Sequence, residues 1–230
     1  MYMQRHVDTE LIDLKDLLLT MGGCVERAVD EAHLALMNGD EAHFTEVVAQ
    51  ETLINKLHSK VDKQCLRLLA RQAPVASDLR LVLAIIKSNS DLERMGDQTM
   101  NICLNAKDYI ENINVVSIPA ELQEMKKETR YMVKSALDAF VKQDIELSEK
   151  VLLHDDVVDN YKEQLELKFT ENIKADPSQT ESFLCLISIA KNLERIADHA
   201  TNIVENNIFV ITGKDIRHGR SSKIFNHGGG

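Results

Sequence analysis

The chain has 230 residues, 44% of them hydrophobic, which is enough for a core of ordinary size. A formal charge of −10 and the lack of tryptophan argue against nucleic acid as a partner. No apolar run approaches the roughly 18 residues a bilayer span needs; the start, with Arg5, His6, Asp8 and Glu10, has no signal-peptide core, so a cytoplasmic protein is expected.

Breakers are few, with 9 glycines and 3 prolines, so long helices are predicted. The first runs to about Asn38, where Gly39 can cap it and Asp40 can begin the second. The second reaches about Arg71, because Pro74 and the restriction it places on Ala73 disfavour continuation; Ser77 or Asp78 then starts a third, which reaches about Asn112. A β-branched stretch at 113–118, closed by Pro119, reads as a linker. The same grammar returns: a helix from about Ala120 to Lys142, a start at Asp144, a helix to about Lys174, a break at Asp176-Pro177, and a last helix ending at Gly213. Residues 91–102 and 192–203 share Leu-Glu-Arg, then Asp, then Asn-Ile in register. The reading is an all-α fold of two tandem, pseudo-symmetric three-helix bundles, 1–114 and 115–213, each able to enclose its own core, with 214–230 as a flexible tail.

On a helical wheel of the third helix, Arg80, Lys87, Asp91, Arg94, Gln98 and Asn105 form the expected solvent strip. Glu93 and Asp97 instead share a direction with Leu79, Val82, Leu83, Ile86, Met100 and Leu104, so the core face is expected to turn acidic there, with Asn101 one turn on. Glu194, Asp198 and Asn202 repeat the spacing in the sixth helix, on a face begun by Phe183, Ile187 and Ala190. The second helix offers Glu51, His58 and Asp62, with Asn55 at the edge; the fifth offers Asp155, Asp159 and Glu166. Packed anionic oxygens require protonation, a cationic partner or a metal ion. Arg94, Arg195 or Lys162 could supply the cation in a metal-free network. A metal is the preferred reading, and the almost all-oxygen donor set suits magnesium, manganese or iron, with His58 the one nitrogen candidate.

Cys24, Cys65, Cys103 and Cys185 are far apart and read as reduced, buried thiols. His199, His154 and His33 read as surface residues, and the sole positive cluster noted is Lys214, Arg217, Arg220 and Lys223. No phosphate-cradling or nucleophile-elbow motif is present, and no glutamate is followed by histidine at the third position. That spacing argues against a ferritin-like di-metal enzyme, which stays an alternative beside a metal-free helical scaffold; no catalytic activity is expected.

At Asp91-Leu-Glu-Arg-Met-Gly-Asp97 and at 192–203, the chain resembles the PhoU family of bacterial phosphate-uptake regulators. The likeness runs from Met3-Gln-Arg-His-Val-Asp8 through 71–80 to 212–218. The resemblance implies two pseudo-symmetric three-helix bundles, commonly a homodimer, and a negative regulator that acts with the ATPase of the phosphate ABC transporter and a membrane sensor histidine kinase. It thus reaches the membrane only indirectly, through partners. It also implies E(D)-x-x-x-D motifs holding divalent or trivalent metal ions, singly or in clusters, with zinc added to the candidates. Those motifs fall on Glu93 and Asp97, Glu194 and Asp198, and Asp155 and Asp159, while the remaining one reads Glu51 to Asn55. The amide at Asn55 leaves the first site one charge short, so fuller loading of the second is expected.

Overall fold

The structure, a computed structural model, describes residues 6–72, 74–111 and 116–216. Among the described residues it consists of six α-helices and one 3₁₀ turn: α1 (His6–Asn38), α2 (Glu41–Gln72), α3 (Ala76–Glu111), α4 (Ala120–Lys142), α5 (Ile145–Ala175), the turn Pro177–Gln179, and α6 (Thr180–Thr212). Helix ends fall within a turn of those predicted. Residues 113–115 of the expected linker and 217–230 of the expected tail lie outside the described residues.

The hairpins follow from local chemistry. Gly39 adopts φ 67°, and its N–H closes α1 on the Ala35 carbonyl at 2.9 Å. The Asp40 carboxylate then accepts the Ala42 N–H at 2.9 Å. Between α4 and α5, Gln143 takes the same left-handed conformation at φ 53°, and the Asp144 carboxylate accepts the Leu147 N–H at 2.9 Å. The linker is tied back by Tyr109, whose hydroxyl donates to the Val116 carbonyl.

α1 packs on α2 and α3, and α4 on α5 and α6; α3 against α6 is the most extensive pair, and α1 also meets α4. One apolar core therefore runs unbroken through both units, from Leu18, Met21, Ile54 and Leu92 to Met125, Phe140, Phe169 and Ile196. Each such buried side chain contributes about 1.5–3 kcal/mol. Gly96 lets α2 and α3 close up: a Cβ there would lie 3.1 Å from Ile54 Cδ1. Buried amides tie the helices together. Asn89 Nδ2 donates to the His58 carbonyl (3.1 Å) and Asp62 Oδ1 (3.0 Å), and Asn207 Nδ2 to the Ala139 carbonyl and Ser148 Oγ, both at 2.9 Å.

Candidate functional site

α3 turns a different face to the core from the one read off the wheel. Its buried line is Leu81, Val82, Ile85, Ser88, Asn89, Leu92, Met95, Gly96, Thr99 and Cys103. Leu79, Leu83 and Leu104 are exposed, and Ile86 and Met100 are half-buried. The reason is tertiary: α3 is covered by α1, α2 and α6 together, which a one-face wheel cannot represent. The expected solvent strip is accordingly part of the seam with α6. There Asp91 Oδ1 accepts from Asn202 Nδ2 at 3.1 Å and pairs with His199 Nδ1 at 3.0 Å. His199 is thus an inter-unit contact rather than a surface residue. His154 is also held, 2.6 Å from Glu128 and with its ring 4.8 Å from that of Tyr131.

The acids sit along the open edges of the α2–α3 and α5–α6 grooves and not in the core. Glu51, Glu93 and Glu194 are half-buried, whereas Asn55, Asp97, Asp159 and Asp198 are exposed. Asp155 is the buried member of the set, at 8% exposure. Asn101 is likewise exposed.

In the first groove the partners of the acids are an amide and an imidazole. Asn55 Nδ2 donates to Glu51 Oε1 at 2.5 Å, and His58 Nε2 lies 3.6 Å from Asp62 Oδ2. The second unit uses cations. Lys162 Nζ stands 3.8 Å from Glu194 Oε1, and Lys191 Nζ 3.6 Å from Glu166 Oε1. Burial pushes the Glu194 carboxyl above its ordinary value; the negative charges of Asp198 and Asp159 add to that rise, and Lys162 and Arg195 oppose it. Asp159, Glu194 and Asp198 therefore share one electrostatic neighbourhood across the α5–α6 groove.

Among the described residues, no three His, Cys, Asp or Glu side chains form a ready metal-holding group. Carboxylate oxygens coming from two adjacent helices suit a hard cation, while the Lys162 ammonium beside Glu194 already offsets part of their charge. The thiols are poor candidates. Cys65 is pushed up to about 12 and Cys103 to about 11, both chiefly by burial.

The positive surface is also larger than the sequence reading allowed. Lys56, Lys60, Lys63, Arg67 and Arg71 recur at helical spacing along α2 and all are exposed. The signal was in the i, i+4, i+7, i+11, i+15 pattern; it was masked by the net charge of −10.

Comparison with known proteins finds the PhoU domain twice, at residues 18–106 and 122–206. The phosphate-specific transport system accessory protein PhoU homolog of Pseudomonas putida is 36% identical over 218 residues, covering 94% of this chain and 85% of that protein. The corresponding accessory protein of Escherichia coli K12 is 30% identical over 211 residues, covering 92% and 87%. The crystal structure of PhoU from Pseudomonas aeruginosa superposes with a TM-score of 0.86 at 35% identity, covering 90% of this chain and 99% of that one. The phosphate transport system regulatory protein PhoU from Streptococcus pneumoniae gives a TM-score of 0.83 at 28% identity, covering 91% and 99%.

Proposed function

Because this chain belongs to the PhoU family, we propose that it is a metal-binding regulator of phosphate uptake and phosphate-starvation signalling. It acts as a cytoplasmic, homodimeric adaptor on the ATPase of the phosphate ABC transporter and on a membrane sensor histidine kinase, damping uptake when phosphate is plentiful. It turns over no substrate. No described helix is long and apolar enough to cross a membrane, in keeping with a protein that works through helical faces rather than a span.

The observation that carries the metal reading is the gathering of Asp159, Glu194 and Asp198 across the α5–α6 groove, where burial and mutual repulsion raise the Glu194 carboxyl. A divalent or trivalent ion such as iron, manganese, magnesium or zinc would supply charge neutralisation. Asp155, Asp159, Glu194 and Asp198 would hold it in the second unit, and Glu51, Asn55, Glu93 and Asp97 in the first. Their task is mechanical: carboxylates from α5 and α6, drawn to one charge, fix the spacing of two helices whose outer faces meet the partner.

Capture from phosphate-replete and phosphate-starved cells tests this, comparing the intact protein with Asp97→Ala and Asp198→Ala. Loss of the transporter ATPase or the kinase in the variants alone is expected; unchanged capture would reduce the acids to a structural role. A second reading, a metal-free scaffold, is favoured by the Lys162–Glu194 and Lys191–Glu166 pairs, which offset part of the charge without a ligand. Elemental analysis of protein purified without chelator separates the two.

A further inference from the structure

The cations of this protein fall into two populations. Some described ones are engaged, Lys126 with Asp30, Arg130 with Glu26 and Asp30, Lys168 with Glu121 and Lys162 with Glu194, and others, such as Lys107 and Lys150, are exposed singly. Lys56, Lys60, Lys63, Arg67 and Arg71 differ. All five are exposed, and they make no ion pair with any described residue. At 100° per residue they fall within an arc of roughly 80°, directed away from the core line of Ile54, Val61, Cys65 and Leu68. They form a straight row roughly 22 Å long. Between residues 52 and 77 the sole acid is Asp62, which is turned towards α3 by Asn89.

The end of this row is apolar. Beside Arg67 and Arg71, the α2–α3 hairpin exposes Leu66 (64%) and Val75 (58%), and the first turns of α3 add Leu79 and Leu83. Long unpaired cations next to exposed aliphatic side chains are the two elements of interfacial binding: the cations meet phosphate headgroups while the aliphatic groups enter the acyl boundary. Lys56, Lys60 and Lys63 on flexible stems suit a fluid array of headgroups, and the guanidinium forks of Arg67 and Arg71 match phosphate oxygens.

We propose that the outer face of α2, with the α2–α3 tip, is a peripheral docking surface for a bilayer containing anionic phospholipid. The net charge of −10 does not forbid this. The Debye length is about 8 Å at physiological salt, so a membrane against α2 feels the row, while acids on the far helices are screened. The contact is direct, where the sequence reading allowed only an indirect one. It depends on no metal, so it stands or falls separately from the metal reading.

The experiment is flotation of the full chain with phosphatidylcholine vesicles, with and without phosphatidylglycerol. Binding is expected only with phosphatidylglycerol and should weaken as salt is raised. The triple variant Lys60→Glu, Lys63→Glu, Arg67→Glu should bind on the order of a hundredfold more weakly, with an unchanged helical circular dichroism spectrum and melting temperature, since all three side chains are exposed. Leu79→Ser with Leu83→Ser should abolish whatever binding survives high salt. Reversal at Lys150 and Lys174 on α5, both exposed, should leave binding intact. Equal flotation of the α2 variant, or none of the intact protein with phosphatidylglycerol, overturns the proposal. Concentration-dependent self-association lost in the variant, without vesicle binding, would assign the row to a second copy instead.

Discussion

The two units keep the same three helices but differ wherever a side chain leaves the core. Glu51 and Asn55 of α2 correspond to Asp155 and Asp159 of α5, and three residues further on His58 corresponds to Lys162. One groove is thus lined by an acid, an amide and an imidazole, and the other by two acids and an ammonium. The outward faces diverge further. Where α2 carries Lys56, Lys60, Lys63, Arg67 and Arg71, the matching positions of α5 are Asn160, Gln164, Leu167, Glu171 and Ala175. Packing constrains both copies alike because they share one core; solvent-facing positions carry no such constraint, so charge is free to specialise.

The strongest way to break this picture is through the core itself. Phe169 is 1% exposed and packs against Phe183, with ring centroids 5.5 Å apart. Phe169→Ala should cost about 3–5 kcal/mol. Because the core is continuous, the loss should appear as a lower midpoint of one denaturant transition followed by both units. Two resolved transitions, with only the second moved, would show that the units are energetically independent.

The next test acts on the grooves. Exchanging the difference in carboxylate count, by Asn55→Asp in the first unit and Asp159→Asn in the second, should raise metal affinity in the first and lower it in the second, each by roughly tenfold. Calorimetric titration of the single and double variants gives both values. Equal affinities throughout would remove carboxylate count as the determinant.

The helices, their junctions and the duplication were legible because each rests on local chemistry: Gly39 before Asp40, Pro74, Asp144, and the shared Leu-Glu-Arg runs. The orientation of α3 was not. Its wheel has apolar residues on several sides, and which one becomes core depends on α6 covering the strip that holds Asp91, more than a hundred residues away in sequence. Spacing set the acids on matching turns of their helices, but their depth is a tertiary property. They lie at the groove edge because α1, α2 and α6 occupy the other sides of α3. His199 was missed for the same reason, its partner Asp91 being on the other unit.

A smaller difference separates the two hairpins. Gly39 and Gln143 both sit in the left-handed region, at φ 67° and 53°, and only glycine does so without strain. Gln143→Gly should therefore stabilise the protein by about 1 kcal/mol, and Gly39→Ala should cost about as much. Thermal melting of the two variants, which should move in opposite directions, checks the comparison.

The smallest expected effect is the pH dependence of the second groove in the presence of chelator. The Glu194 carboxyl is raised in the folded protein, first by burial and then by Asp198 and Asp159, so between the ordinary carboxylate range and its raised value the folded state holds more protons than the unfolded one. Stability must then fall as pH rises through that window, and the cost is fully present above it. Glu194→Gln removes the titrating group, so without metal the variant should melt slightly higher than the parent at neutral pH. The advantage should vanish below the ordinary carboxylate range, where the parent is protonated in both states. The shift is small because the Glu194 side chain is 23% exposed and Lys162 already offsets part of the repulsion. In the first groove, Glu93→Gln serves as the matched control. A variant advantage at Glu194 that grew on acidification would reverse the sign of the coupling and with it the claim that burial and the neighbouring acids raise this carboxyl.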